Sequence, residues 1–173
     1  YEISECLVGS EMCIRDSLDD IITVEDDELI VAFLDMVENH KMIVENSGLL
    51  TVAALKHLGV KDKRVVSILS GGNMDVITMS SVVQQGLIFR DRIFTVSVLL
   101  PDKPGELAKV SQTLADVQGN VIKLEHNQFV TTNRSAAVEL RITLECFGTE
   151  HKEQIIAALE KKGYKPRIVR TMI

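Results

Sequence analysis

The sequence predicts an α/β chain in two units, an α/β segment over residues 18–90 and a βαββαβ unit over residues 93–173. Hydrophobic residues make up 46% of the 173 residues, which is enough to build globular cores. Short β-branched runs alternate along the chain with stretches of helical spacing. The net charge changes from −5 over residues 18–92 to +2 over residues 93–173, which indicates separate units.

In the first unit, acidic residues at 25–28 complement a helix N-terminus. A glycine at position 59 suits a helix C-terminus, and the β-branched run at 64–69 is typical of a buried parallel strand. The predicted order is strand 21–24, helix 25–39, strand 42–45, helix 47–58, strand 64–69, helix 74–85 and linker 86–92. The sheet of this unit needs strands that residues 18–90 do not contain.

The second unit is more self-sufficient. Its helical spacing puts four apolar residues on one face of the first helix: Leu107, Val110, Leu114 and Val117. The predicted order is strand 94–100, turn 101–106, that helix, strand 121–129, polar loop 131–135, strand 136–146, helix 150–162 ended by Gly163, and strand 164–169. This order is the ferredoxin-like split βαβ arrangement.

Residues 1–17 carry no initiator Met, no periodic apolar face and no turn chemistry. Their sequence resembles a spurious leader made when adapter sequence is translated with a transcript. We exclude them from the fold prediction, which would make the chain a truncated C-terminal piece. An ordinary native N-terminus is the alternative.

The charge and hydropathy of the sequence exclude some classes of function. The chain has 19 Lys and Arg against 25 Asp and Glu, without the basic stripe that binds nucleic acid or anionic membranes. No apolar stretch approaches the roughly 20 residues of a membrane span, and no signal peptide pattern begins the chain. We therefore expect a cytoplasmic protein with neither a nucleic-acid nor a membrane partner.

Cysteine and histidine spacing indicates no metal site. Cys6, Cys13 and Cys146 are an odd number without CxxC or histidine-spaced partners, so we expect free thiols and no zinc. Cys146 is predicted to be a small buried hydrophobe on a strand. The four histidines share no ligand spacing and are expected to be surface or capping residues.

The run from Val66 to Asp75 contains Ser70-Gly71-Gly72-Asn73 at a strand end, and a glutamate turn with Glu45 precedes it. In these segments the chain resembles, over residues 18 to about 90, the C-terminal part of threonine ammonia-lyases (threonine dehydratases), which are fold-type II pyridoxal 5'-phosphate (PLP) enzymes. The resemblance implies a PLP site formed by Glu45, Ser70, Gly71, Gly72 and Asn73. It also implies that Ser70 hydrogen-bonds the pyridine nitrogen.

The chemistry of these residues agrees with that assignment. Open α/β sheets bind ligands beyond the carboxyl ends of their strands, and two glycines allow backbone to approach a flat ring closely. A neutral hydroxyl at Ser70 moderates the electron sink, which suits elimination from threonine to give 2-oxobutanoate and ammonia. The alternative is a plain strand-to-helix turn with Asn73 as the N-cap.

The family's Schiff-base lysine and glycine-rich phosphate loop lie in its N-terminal portion. No run of three glycines occurs in this sequence, and its lysines between 41 and 63 are expected to be solvated charges. We therefore assign no catalytic residue and expect the chain alone to be inactive.

Residues 93–173 resemble an ACT domain, a small-molecule regulatory module. The resemblance is carried by residues 100–107, by Gly119-Asn120-Val121-Ile122 and by the βαββαβ order. Pro104 fits a first helical turn, and Gly105 leaves backbone N–H groups open to a carboxylate. The implied effector residues are Asp102, Pro104, Gly105, Glu106, Leu107, Asn120, Val121 and Ile122, which would meet between two ACT domains.

The sequence therefore predicts part of a PLP-dependent threonine ammonia-lyase, a lyase with an amino-acid substrate and a C-terminal ACT domain that binds an amino-acid effector and forms a homo-oligomer. The family implies isoleucine or valine as effector. Two alternatives stay open: a stand-alone amino-acid-binding or dimerisation module without catalysis, and a related serine dehydratase or racemase. As a turn and a capping residue, Asp102 and Asn120 are equally compatible with dimerisation alone.

Overall fold

The computed structural model describes residues 19–127 and 137–171. The predictions for residues 1–17, with Cys6 and Cys13, and for the polar loop 131–135 lie outside the described residues. The described chain has two hydrophobic cores, one within residues 24–83 and one within residues 94–164.

The first core is helical. Helix α1 spans Asp26–Asp35 and continues as a π-helical turn, Met36–His40. A 3₁₀ turn (Asn46–Leu49), the short helix α2 (Leu50–Ala53) and a second 3₁₀ turn (Ala54–His57) follow. Helix α3 spans Val76–Phe89. The buried side chains of this core are Leu29, Ala32, Phe33, Met36, Val44, Leu49, Ala53 and Val82.

The acidic start of α1 is confirmed. The Glu25 N–H donates to the Glu28 carboxylate at 3.0 Å, and three acidic residues occupy the first turn. Negative charge there complements the helix dipole.

The three strands predicted in the first unit are wrong for this chain. Residues 21–24, 42–45 and 64–69 pair with no strand among the described residues. Val66 is 88% exposed and Ile68 73% exposed. A buried parallel strand needs hydrogen-bonded neighbours, and the described part of the chain supplies none for 64–69.

Two helix ends also differ from prediction. Gly59 does not adopt the left-handed conformation; the helical stretch ends because Leu58 is extended. The N-cap of α3 is Asp75 rather than Asn73, since Asp75 Oδ1 accepts from the Ile77 and Thr78 N–H groups at 2.9 Å each. Helix α3 also continues through most of the predicted linker.

Gly86 explains why α3 continues. A Cβ at Gly86 would lie 3.3 Å from Leu34 Cδ2, so the glycine lets α1 and α3 pack closely. This packing outweighs the weak helix propensity of glycine.

The second unit has the predicted βαββαβ order. Strand β1 spans Ile93–Pro101, helix α4 Glu106–Asp116, strand β2 Asn120–Asn127, strand β3 Ala137–Glu145, helix α5 Thr149–Lys161 and strand β4 Arg167–Val169. The sheet order is β2-β3-β1-β4, with antiparallel neighbours throughout. The ferredoxin-like prediction is confirmed.

Strand β4 is shorter than predicted. The Tyr164 N–H bonds back to the Leu159 carbonyl at 3.1 Å, which closes α5. Pro166 has no N–H for a ladder, so pairing begins at Arg167. Gly163 ends α5 with φ of +88°, as predicted.

One face of the sheet packs on the two helices. Val96, Val98, Leu140, Ile142, Val110 and Ile155 are all fully buried there. The opposite face is polar: Thr95 bonds Thr143 at 2.9 Å and Ser97 donates to Glu139 at 2.7 Å. Cys146 is buried, as predicted, but it directly follows β3 instead of lying on it. Leu107, predicted to face inward, is 40% exposed.

Candidate functional site

The glutamate turn and the Ser-Gly-Gly-Asn turn lie against each other. The Asn73 N–H donates to Glu45 Oε2 at 3.2 Å, and the Glu45 N–H donates to the Gly71 carbonyl at 3.4 Å. Ser47 Oγ donates to Glu45 Oε1 at 2.6 Å. One oxygen of the Glu45 carboxylate therefore binds the backbone of the Ser-Gly-Gly-Asn turn, and the other binds the Ser47 side chain of the glutamate turn.

Two glycines allow this close approach. A Cβ at Gly48 would lie 1.8 Å from the Ser70 carbonyl oxygen, which no side chain can do. Gly71 has φ of +81°, and a Cβ there would lie 2.4 Å from Glu45 Oε1. Glycine is thus required at both positions.

The outer side of these turns is open. Ser70, Gly72 and Asn73 are exposed, and a Cβ at Gly72 would meet only the Ile43 carbonyl, at 3.6 Å. A flat group can therefore approach the backbone of this turn, next to the exposed residue Ser70. We call Glu45 together with residues 70–73 the turn pair.

Residues that support the turn pair were missed by sequence reasoning. Thr51 Oγ1 donates to the Ile68 carbonyl at 3.0 Å, and Gly48 fixes the Ser70 backbone. Asp75 begins α3 directly after the turn, and the hydrogen bond from the Thr78 side chain, followed by backbone N–H groups, lowers the pKa of its carboxyl. An aspartate directly before the apolar run that begins at Val76 is the N-cap signal that the sequence offers here.

The predicted effector residues do not meet within one chain. Residues 102–107 follow the end of β1, whereas Asn120 begins β2. Ile93 and Asn120 both pair with Glu145, so Asn120 lies at the same end of the sheet as the start of β1, with β3 between them. At ~3.3 Å per residue, the nine residues of β1 separate the two groups by about 26 Å.

Each group has its own local geometry. Gly105 has φ of +90° and precedes α4, so Pro104 lies before the helix rather than in its first turn. Glu106 is half-buried and binds Lys109 Nζ at 2.7 Å, while Asp102 and Leu107 are exposed.

The residues at the start of β2 lie on a sheet edge. The Asn120 amide donates to the Glu145 carboxylate at 3.0 Å, and a bulge interrupts the register between Val121 and Lys123. Val121 is 39% and Ile122 46% exposed. The edge thus carries apolar side chains next to unpaired backbone.

A groove of about 740 Å³ lies on the other side of the unit. It runs between the end of β1, the start of α4 and the segment that leads into β4. Its lining includes Leu99, Pro101, Glu106, Lys109, Tyr164 and Lys165. Its volume is typical of small-molecule sites, and sequence reasoning did not single out Tyr164 or Lys165.

Within residues 19–127 and 137–171, no group of three His, Cys, Asp or Glu side chains is placed to hold a metal ion. Over the same residues, every helix is too short or too polar to cross a membrane.

Comparisons with known proteins identify a family for residues 94–163 and relatives for most of the chain. The ACT domain family model matches residues 94–163. L-threonine ammonia-lyase of Geobacter sulfurreducens is 35% identical over 153 residues, covering 87% of this chain and 38% of that protein. The Thermotoga maritima L-threonine ammonia-lyase is 31% identical over 157 residues, covering 90% of this chain and 39% of that protein.

The biosynthetic L-threonine dehydratase IlvA of Pasteurella multocida is 30% identical over 151 residues, covering 85% of this chain and 28% of that protein. Among solved structures, the ligand-free regulatory subunit of aspartate kinase from Thermus thermophilus matches with a TM-score of 0.35 and 20% identity, over 44% of this chain and 49% of that one. The chain spans less than two fifths of the length of the three curated relatives. Residues 94–163 are therefore an ACT domain, and the chain is related over most of its length to the L-threonine ammonia-lyases.

Proposed function

We propose that this chain is the C-terminal part of a PLP-dependent L-threonine ammonia-lyase, which converts L-threonine to 2-oxobutanoate and ammonia under control of the ACT domain. The observation that carries the proposal is the contact between Glu45 and residues 70–73, two turns separated by more than 20 residues. Similarity to threonine ammonia-lyases extends across both turns and the ACT domain.

The turn pair fits PLP. Bound PLP supplies an electron sink for elimination. The Ser70 hydroxyl would bond the ring nitrogen, while Gly71 and Gly72 let the ring approach the backbone. Glu45 and Asn73 would hold the turn, since the Glu45 carboxylate accepts the Asn73 N–H.

The exposed segment 64–69 supports a longer parent protein. Val66 and Ile68 are apolar, β-branched and exposed, an arrangement that is unfavourable in water. Further strands of the parent would cover these side chains and pair with their backbone. The carboxyl end of that sheet would then lie at Ser70, where open α/β sheets bind ligands.

Replacing Ser70 by alanine in the full-length enzyme is expected to weaken PLP binding and slow deamination. A lost hydrogen bond in a buried site costs about 1–3 kcal/mol, or roughly 5- to 150-fold. PLP affinity and threonine turnover are the measurements. Ser70→Thr should restore much of the loss because it keeps the hydroxyl, and Ser81→Ala, an exposed serine of α3, is the control. Unchanged affinity and turnover in Ser70→Ala would show that Ser70 only shapes the turn.

For the ACT domain we propose an effector site between two copies. Two copies that pair antiparallel along their β2 edges would bring Asn120 of one to the end of the sheet where residues 102–107 of the other lie. The effector carboxylate would meet the N–H groups at the start of α4. Leu107, Val121 and Ile122 would form an apolar wall for an aliphatic side chain.

Calorimetry of the 173-residue chain with isoleucine, valine, serine and threonine tests this site. We expect an aliphatic amino acid to bind, and Ile122→Ser to weaken it about tenfold or more because apolar contact is lost. Lys165→Gln, in the groove beside α4, is the matched control. If only Lys165→Gln weakens amino-acid binding, the effector site lies in the groove of a single copy.

The alternative is an amino-acid-binding module without catalysis. The complete core of residues 94–164 favours it for the chain by itself. Binding of an amino acid without any PLP-dependent activity in the full-length protein would favour this alternative.

A further inference from the structure

The tripeptide Arg90-Asp91-Arg92 joins α3 to β1, and its two arginines bind the first unit. Arg90 Nη1 donates to Glu38 Oε2 at 3.0 Å, and Arg90 Nη2 donates to the Asp35 carboxylate. Arg92 Nη1 donates to the other oxygen of Glu38. The Arg90 side chain is only 26% exposed, so these contacts are partly shielded from water.

Asp91 binds the second unit instead. Lys152 Nζ of α5 lies 2.6 Å from Asp91 Oδ1, and Thr149 Oγ1 donates to Asp91 Oδ2 at 2.8 Å. Lys152 also lies 5.7 Å from the centre of the Phe94 ring, close enough for a cation–π contact. Hydrogen bonding to Lys152 lowers the pKa of Asp91, so its carboxylate is charged at neutral pH.

The backbone of the tripeptide is held as well. The Cys146 N–H donates to the Arg92 carbonyl, and Cys146 Sγ donates to the Asp91 carbonyl, each at 2.8 Å. Asp91 has φ of +54°, a conformation that costs energy for a residue with a side chain and persists where surrounding contacts hold it. Neighbouring residues of the tripeptide therefore bind different units: the two arginines bind the first unit and Asp91 binds the second. The backbone that joins them is itself held in place.

We propose that Arg90-Asp91-Arg92 is a coupling element, through which a change in stability or conformation at α5 reaches α1, and the reverse. An unstructured linker would let the two units open independently. Here a movement of α5 away from Asp91 displaces the backbone that carries Arg90 and Arg92, and so their contacts with α1. Because such coupling is a free energy, it is reciprocal. The inference depends on neither the effector nor the cofactor.

Hydrogen exchange of the 173-residue chain, followed by mass spectrometry, tests the coupling. Asp91→Asn removes the ion pair with Lys152 but keeps a residue that tolerates positive φ. Its side chain contacts α5 and not α1, yet we expect amide exchange in α1 to accelerate about fivefold or more. Lys109→Gln, which breaks an ion pair of α4 away from the tripeptide, should leave exchange in α1 unchanged.

The reciprocal experiment begins at Glu38, in the π-helical turn that continues α1. Glu38→Gln should accelerate exchange of the Cys146 amide and the first turn of α5 by a similar factor. Asp27→Asn, the same charge change at the other end of α1, should not. Lys152→Gln breaks the same pair from the α5 side and serves if Asp91→Asn does not fold. Acceleration confined to α5 and its neighbours in Asp91→Asn, and confined to α1 in Glu38→Gln, would overturn the proposal.

Discussion

Gly48→Ala is expected to separate the two turns of the turn pair. The added Cβ would lie 1.8 Å from the Ser70 carbonyl and 2.8 Å from Val44 Cγ1, so backbone has to move. Forced overpacking of this kind costs about 1–3 kcal/mol, occasionally more. In the 173-residue chain, amide exchange over residues 70–75 should accelerate, and in the full-length enzyme PLP affinity should fall.

Gly59→Ala is the control for this substitution. A Cβ at Gly59 meets nothing within 4 Å, and its φ is not positive. Alanine there should be neutral or stabilise slightly by restricting the unfolded chain. Equal effects of the two substitutions would mean that the contact between Gly48 and Ser70 does not hold the turns together.

Leu140→Ala is expected to destabilise the ACT domain severely. Leu140 is fully buried at the centre of β3, between the sheet and the two helices. Removing a buried leucine side chain costs about 2–5 kcal/mol, a large part of the 5–15 kcal/mol that typically stabilises a domain. Urea titration with amide exchange of β1 and β3 measures the loss.

Leu124→Ala is the matched control, since Leu124 on the edge strand β2 is 40% exposed. In a single, unpaired copy, Leu124→Ala should lower the free energy of unfolding by well under half as much as Leu140→Ala does. A comparable loss from both substitutions would contradict the assignment of Leu140 to the core.

The ACT domain was predictable because each of its strands finds its partner inside the chain. In β1, Val96 and Val98 face the helices and alternate with Thr95 and Ser97, which are buried as well but lie on the opposite, polar face of the sheet. The alternation of apolar and polar residues in the sequence therefore predicted this strand correctly. Residues 64–69 have an equally good strand pattern, yet pattern alone does not supply the neighbouring strands, so the prediction failed there.

The turn pair was only partly predictable. Its residues were found by resemblance, but the contact of Glu45 with Asn73 is tertiary and has no local signature. The role of Gly48 becomes visible only when the Ser70 carbonyl is placed against it. The tripeptide 90–92 was assigned to a linker, because alternating charge by itself does not tell which unit each side chain binds.

Cys146 occupies the corner where the tripeptide meets β3 and α5. Burial raises the pKa of its thiol, and only the thiolate reacts with alkylating reagents. A small alkylating reagent therefore modifies Cys146 mainly during excursions in which this corner is open. The rate at which Cys146 is alkylated, followed by peptide mass spectrometry, therefore reports how often the boundary between the units opens.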